Sequence, residues 1–281
     1  SHAAAGDPKR AQAWLLRMAA EFGVQPDAES HTTVIEAFGR AGQPAAARAN
    51  LARMEAASVA PTARTFAPLV EAFTRAGSVD EAASWLRRAR ASGAVLDVVT
   101  YSSVARGYAG GGNLTAAREV LEEMSRVGVR PSTGVLNSLI ACCARARRVD
   151  DALSLLDQYV NVTQPTALTF NMVIGLLSRA GRHDEAEQVL QRMYDVGVRP
   201  DTATFSSMIA SGPPDAAEPL DPPRAGSWLR TMEQAGLTPD ASSYNKVIAS
   251  CARARLPELA EQWVGQMAEA GVPPNVASFA S

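Results

Sequence analysis

Cysteine is scarce in this chain. Of 281 residues only Cys142, Cys143 and Cys251 carry a thiol, with no Cys-x-x-Cys pair and no histidine at zinc spacing beside them. A disulfide framework and a structural zinc are thereby excluded, and the three thiols, which fall mid-helix on the pattern below, are expected as small buried residues. Histidine is as thin: His2, His31 and His183 are scattered, so no metal site, catalytic site or cofactor is expected. Long hydrophobic runs are missing too. Arg, Glu or Asp breaks the apolar residues every few positions, short of the roughly 18 needed to cross a bilayer, so a soluble protein without a membrane partner is expected. Nor is there an excess of positive charge: 27 Lys and Arg against 29 Asp and Glu leave −2, so the distribution of charge matters more than its sum. The chain begins Ser-His-Ala without Met, and Gly6-Asp7-Pro8 resembles neither a signal peptide nor a transit sequence, so a fragment or processed form is expected.

What is present is repetition. A Pro followed by a small polar residue recurs at Pro26-Asp27, Pro61-Thr62, Pro131-Ser132, Pro165-Thr166, Pro200-Asp201, Pro239-Asp240 and Pro274-Asn275, with Leu96-Asp97 filling the one gap. The period is close to 35 and defines seven repeats: 28–62, 63–97, 98–132, 133–166, 167–201, 202–240 and 241–275. Residues 1–27 read as a partial repeat carrying a second helix, and 276–281 as the start of a truncated one. With Ala28 as column one, column four holds His31, Phe66, Tyr101, Leu136, Phe170, Phe205 and Tyr244, and columns seven and eight are nearly all aliphatic. Spacings of three and four place these on one helical face. Turns such as Arg75-Ala76-Gly77 end the first helix through a left-handed glycine. Acidic starts such as Asp184-Glu185 then suit the positive end of a second helix, which closes at Gly-Val-x-Pro. One helix pair cannot bury its own apolar stripes, so an all-α solenoid with a continuous core is expected. The sixth repeat departs: Ser211-Gly212-Pro213-Pro214 truncates its first helix, a kink or loop is expected there, and the second helix is expected to resume at Ala225. Gly107-Tyr108-Ala109-Gly110-Gly111-Gly112-Asn113 lacks the Lys-Ser/Thr and the preceding strand of a phosphate loop and reads as a loosened turn.

Stretches such as Leu168-Thr169-Phe170-Asn171-Met172-Val173-Ile174 and Ser243-Tyr244-Asn245-Lys246-Val247-Ile248 are repeated in phase, and endings such as Met193-Tyr194-Asp195-Val196-Gly197-Val198-Arg199-Pro200 recur with them. In these residues the chain resembles the pentatricopeptide repeat family, as a P-type array, over nearly its whole length. The Trp-x-x-Leu-Gly-x-x-Tyr start of tetratricopeptide repeats is in no repeat. The resemblance implies a right-handed superhelix that binds single-stranded RNA, one base per repeat.

On the family's pattern, column five and the last column contact the base edge. The pairs here are Thr32 with Thr62, Ala67 with Asp97, Ser102 with Ser132, Asn137 with Thr166, Asn171 with Asp201, Ser206 with Asp240, and Asn245 with Asn275. The family's code then implies roughly purine, guanine, purine, pyrimidine, U, G, C from 5′ to 3′. Asn, Ser and Asp at these places are equally what helix caps and turns favour. Column two supplies stacking residues in Val99 and Leu168, whereas Glu29, Arg64, Gly134, Ala203 and Ser242 depart from the pattern. Column thirteen supplies Arg40, Arg75, Arg145, Arg179 and Arg253, placed either to bind phosphate or to compensate the carbonyl end of the first helix. Relatives with a deaminase domain need His-x-Glu together with Pro-Cys-x-x-Cys; His183-Asp184-Glu185 fits the first alone, and the second does not occur. The resemblance therefore implies a non-catalytic adaptor in mitochondrial or chloroplast RNA processing, stability, editing or translation, without a small-molecule substrate but with other proteins of an RNA-processing complex as partners. The alternative is a helical scaffold for a peptide or protein, distinguished by weak salt dependence and no base preference.

Overall fold

A computed structural model of the chain describes residues 7–209 and 221–279. Among these residues every regular element is a helix and no strand occurs. After α1 (Pro8–Phe22) come α2 (Ala28–Arg40) and α3 (Pro44–Ala56), α4 (Ala63–Arg75) and α5 (Val79–Ala91), and α6 (Val98–Gly110) and α7 (Leu114–Arg126). The order continues through α8 (Thr133–Arg145), α9 (Val149–Tyr159), α10 (Ala167–Arg179), α11 (His183–Asp195), α12 (Thr202–Ile209), α13 (Pro222–Gln234), α14 (Ala241–Arg253), α15 (Pro257–Glu269) and α16 (Val276–Phe279). Two compact units divide inside α8, between Leu139 and Ile140. None of the described helices is long and apolar enough to cross a membrane.

The helix boundaries follow from the residues that close them. Asp27, Asp97 and Asp240 accept the backbone N–H three residues on and so cap α2, α6 and α14, while Thr62 and Thr166 form capping boxes with Thr65 and Thr169. Each satisfies backbone donors that a helix start leaves without partners. The turn after a first helix needs one left-handed residue, which is Gly42, Gly77, Gly112 or Gly181 in four hairpins but Arg147 and Arg255 in two others.

In the N-terminal unit the first helices α2, α4 and α6 pack on one another, and each pairs with its own second helix, α3, α5 or α7. The C-terminal unit repeats this with α10, α12 and α14 as the inner layer and α11, α13 and α15 as partners. Each unit thus stacks two helical layers, first helices on first helices and each against its own second helix. Phe66, Phe170, Phe205 and Tyr244 of column four are all but fully buried, which contributes about 1.5–3 kcal/mol for each large apolar side chain.

Two local expectations are corrected. Residues 107–110 belong to α6, and only 111–113 turn, with Gly112 left-handed and the Asn113 side chain capping α7. A Cβ at Gly107 would lie 3.0 Å from the Val79 side chain and 3.1 Å from that of Thr74, so glycine here permits close packing rather than loosening a turn. In the sixth repeat the second helix starts at Pro222, not Ala225, since proline at the first helical positions lacks only an N–H that would have no helical partner. The first helix there is described over Thr202–Ile209, and the truncation and the kink or loop expected from 211 on lie outside the described residues.

Between second helices runs a ladder of ion pairs: Arg48–Glu81, Arg88–Glu55 and Arg90–Glu123 in the N-terminal unit, and Arg182–Asp150, Arg192–Asp157 and Arg224–Asp184 in the C-terminal unit. The ladder consumes acidic charge on one layer. The first helices α2, α4, α6, α8, α10, α12 and α14 carry eight basic residues and only three acidic ones, Glu29, Glu36 and Glu71, a formal +5 inside a chain of −2.

Candidate nucleic-acid interface

The last-column residues Thr62, Asp97, Thr166 and Asp240 cap the next first helix, and in the fifth and seventh repeats the last-column side chain bonds to column five of its own repeat. Asp201 shows both roles. Its Oδ1 accepts the Thr204 N–H at 2.8 Å and the Asn171 Nδ2–H at 3.0 Å. Burial pushes its carboxyl up, but the hydrogen bonds from Thr204 and Asn171 outweigh this and hold it below the usual carboxylate value. Asn245 likewise donates from Nδ2 to Asn275 Oδ1 at 3.1 Å. Capping and side-chain pairing are therefore compatible uses of one residue.

The other pairs differ. Thr32 Oγ1 lies 2.9 Å from Thr65 Oγ1, which in turn reaches Thr62 Oγ1 at 3.4 Å. Thr32 is 4% exposed, as is Ser102, whose hydroxyl has no partner. Ala67 offers no polar group beside Asp97, and Ser132 is exposed. Asn137 is half-buried in the N-terminal unit and Thr166 is exposed in the C-terminal unit. Ser206 is engaged by Lys246, whose Nζ donates to both the Ser206 hydroxyl and, at 2.8 Å, the Ser206 carbonyl. Burial lowers the Lys246 ammonium, against the pull of Asp240. Asp240 itself is pushed up by burial but held low overall by its bonds from Ser243. A cation thus sits at the sixth repeat's pair, which the column scheme did not anticipate although Lys246 directly follows column five in the sequence.

Also unanticipated is column three. Thr65, Thr100, Thr169, Thr204, Ser243 and Ser278 are all buried, and several bond to the pairs just described. The signal was a Ser or Thr at that column in nearly every repeat, legible only as a capping residue without coordinates.

Column two is solvent-facing throughout, and the two stacking candidates are conspicuous: Val99 is 54% and Leu168 58% exposed. Val99 lines a surface concavity between α4 and α6 with Glu71, Arg75, Ser103 and Arg106. Arg106, exposed at column nine, brings to this repeat the charge that Gly110 removes at column thirteen. Arg40, Arg75, Arg145, Arg179 and Arg253 all end first helices and are exposed. Among them Arg75 serves a helix end, its guanidinium donating at 2.9 Å to the Gly39 carbonyl of the preceding first helix. No cluster of His, Cys, Asp or Glu able to hold a metal occurs among the described residues.

Fold and site together define a helical-hairpin repeat array with a periodic polar stripe and a basic layer. Sequence models described as "PPR repeat family" (165–211), "Pentatricopeptide repeat domain" (84–146 and 227–281), "Pentatricopeptide repeat-containing protein" (2–106) and "PPR repeat" (135–160) match in succession. The chain belongs to the pentatricopeptide repeat family. A mitochondrial pentatricopeptide repeat-containing protein of Arabidopsis thaliana is 27% identical over 58% of this chain and 38% of its own length. A chloroplastic one from the same plant is 29% identical over 43% and 16%. The maize pentatricopeptide repeat protein PPR10 is similar in structure, with 27% identity, a TM-score of 0.56 and coverage of 96% of this chain and 43% of its own. In complex with an 18-nt psaJ RNA element it gives 26%, 0.51, 99% and 43%. The chain spans between 15% and 39% of the length of the curated relatives it matches.

Proposed function

We propose that this chain binds single-stranded RNA, reading one base per repeat through column five and the last column, as a non-catalytic adaptor in organellar RNA processing, stability, editing or translation. The observation that carries the reading is the Asn171–Asp201 pair, at 3.0 Å, with its counterpart Asn245–Asn275, at 3.1 Å. In the first pair an amide donor stands beside a carboxylate acceptor. Uracil presents the complement, a carbonyl acceptor next to the N3–H donor. In the second pair Asn275 Oδ1 is occupied, which leaves its amide N–H groups for the O2 and N3 acceptors of cytosine. Further support comes from the formal +5 of the first helices and from PPR10, which is similar over nearly all of this chain and has been seen with RNA. Val99 and Leu168 stack against bases, and Arg40, Arg75, Arg145, Arg179 and Arg253 meet phosphates. The organellar location rests on relatives whose names carry "mitochondrial" and "chloroplastic".

Fluorescence anisotropy with short RNAs that keep or swap the U-G-C segment, at two salt concentrations, tests this beside Asn171→Ala. Salt-sensitive binding that prefers U opposite the fifth repeat, with the preference lost in the variant, is expected. Binding indifferent to sequence and variant points instead to a protein partner.

A further inference from the structure

A base-reading asparagine has two nearly isosteric ends of opposite hydrogen-bonding sense, so a half-turn of its amide exchanges donor for acceptor. Something must choose the orientation before RNA arrives. We propose that the column-three hydroxyl of the following repeat makes this choice, as a specificity-determining positioning residue: Thr204 for Asn171 and Ser278 for Asn245. The inference rests on the base-reading assignment above.

Thr204 is fully buried, so its hydroxyl must find its partners within the protein. It accepts the Asp201 N–H at 3.0 Å, and its Oγ1, with one proton to donate, lies 2.6 Å from Asn171 Oδ1, nearer than the 2.9 Å to Asp201 Oδ1. With Oδ1 drawn to the hydroxyl, Nδ2 faces the carboxylate. Ser278, 4% exposed, repeats the arrangement: it accepts the Asn275 N–H at 3.1 Å and donates to Asn245 Oδ1 at 2.7 Å. The amide is held the same way in both repeats although the last-column residue differs. The spacing is 33 residues in each case, and Thr65 meets Thr32 at that spacing too. The third repeat supplies the contrast. There the residue 33 positions after Ser102 is the fully buried Val135, and the Ser102 hydroxyl has no partner.

The experiment compares wild type, Thr204→Val, Thr204→Ser and Ser278→Ala. One readout is the U-over-C affinity ratio opposite the fifth repeat. Another, on the protein alone, is solvent exchange of the Asn171 side-chain amide protons by NMR. Thr204→Val is expected to lower the ratio about tenfold, within the range of a good bidentate contact, and to speed amide exchange. Thr204→Ser should keep both, and swaps at other positions should discriminate as in wild type. An undiminished ratio in Thr204→Val overturns the inference while leaving base reading intact. A wild type with no U-over-C preference overturns base reading, and the specificity role with it, whatever the amide does. Should Thr204→Val fail to fold by circular dichroism, Ser278→Ala decides: a lowered C-over-U ratio opposite the seventh repeat, where Ser278 bonds to Asn245, supports the inference, and an unchanged ratio overturns it.

Discussion

Residue identity at a single column can set both stability and its pH dependence. Column four is a core aromatic in most repeats, but His31 fills it in the first, 3% exposed and with neither ring nitrogen partnered. Burial lowers its imidazole below the ordinary 6.5, against the opposing pull of Asp27. The folded state therefore refuses a proton that the unfolded chain accepts, so stability falls as pH drops below 6.5 and levels off once the lowered folded value is passed. His31→Phe should raise the melting temperature at pH 7, by removing unsatisfied nitrogens worth about 1–3 kcal/mol, and more so at pH 5.5. A variant that melts with the wild-type pH slope would show that His31 is not the group responsible. That His31 belongs to the core was legible from its column alone. The partnerless nitrogens were not, because they depend on what neighbouring helices offer.

At the scale of the helix pair, the sequence pattern was most informative where chemistry is local. Caps, turns and the two faces follow from residues a few positions apart, so the hairpins could be placed from Pro-Asp, Gly and acidic starts. It failed where a local rule had two readings. Gly107 and Gly110 suggest a turn taken alone, yet in α6 the first makes room for Val79 and Thr74 of the preceding hairpin. Prolines 222 and 223 suggest a break, yet at a helix start they cost nothing. The left-handed turn residue gives a direct test. Arg147 and Arg255, at φ 53 and 56, take the place that glycine holds in other hairpins, and Ser58, at φ 58, is likewise left-handed. A left-handed residue with a Cβ costs roughly 1–2 kcal/mol, partly offset by the unfolded-state entropy of glycine. Arg147→Gly should therefore stabilise by about 0.5–1 kcal/mol, a rise of roughly 2 °C in melting temperature.

Across the whole molecule the decisive feature is where charge lies. The net charge was legible and misleading; the segregation was not, since it requires knowing which helices share a layer. Acids concentrate on second helices, where they pair with arginines across hairpins, and the first helices keep their positive charge. Two substitutions of identical charge should then separate. Arg179→Gln is expected to weaken RNA binding uniformly across sequences and to reduce the salt slope by about one. Arg192→Gln, which breaks the pair with Asp157, should leave RNA binding unchanged and cost up to about 1 kcal/mol of stability. Equal effects on binding would show that the two layers are not electrostatically distinct. The bond from Thr204 to Asn171 carries a consequence for how such arrays can be edited. Cut at their sequence period, repeats exchange as cassettes that leave behind the hydroxyl on which their own reader leans. The recognition module is thus offset from the folding module by three residues, and a graft faithful to the donor's base preference should carry its boundary past column three of the repeat that follows.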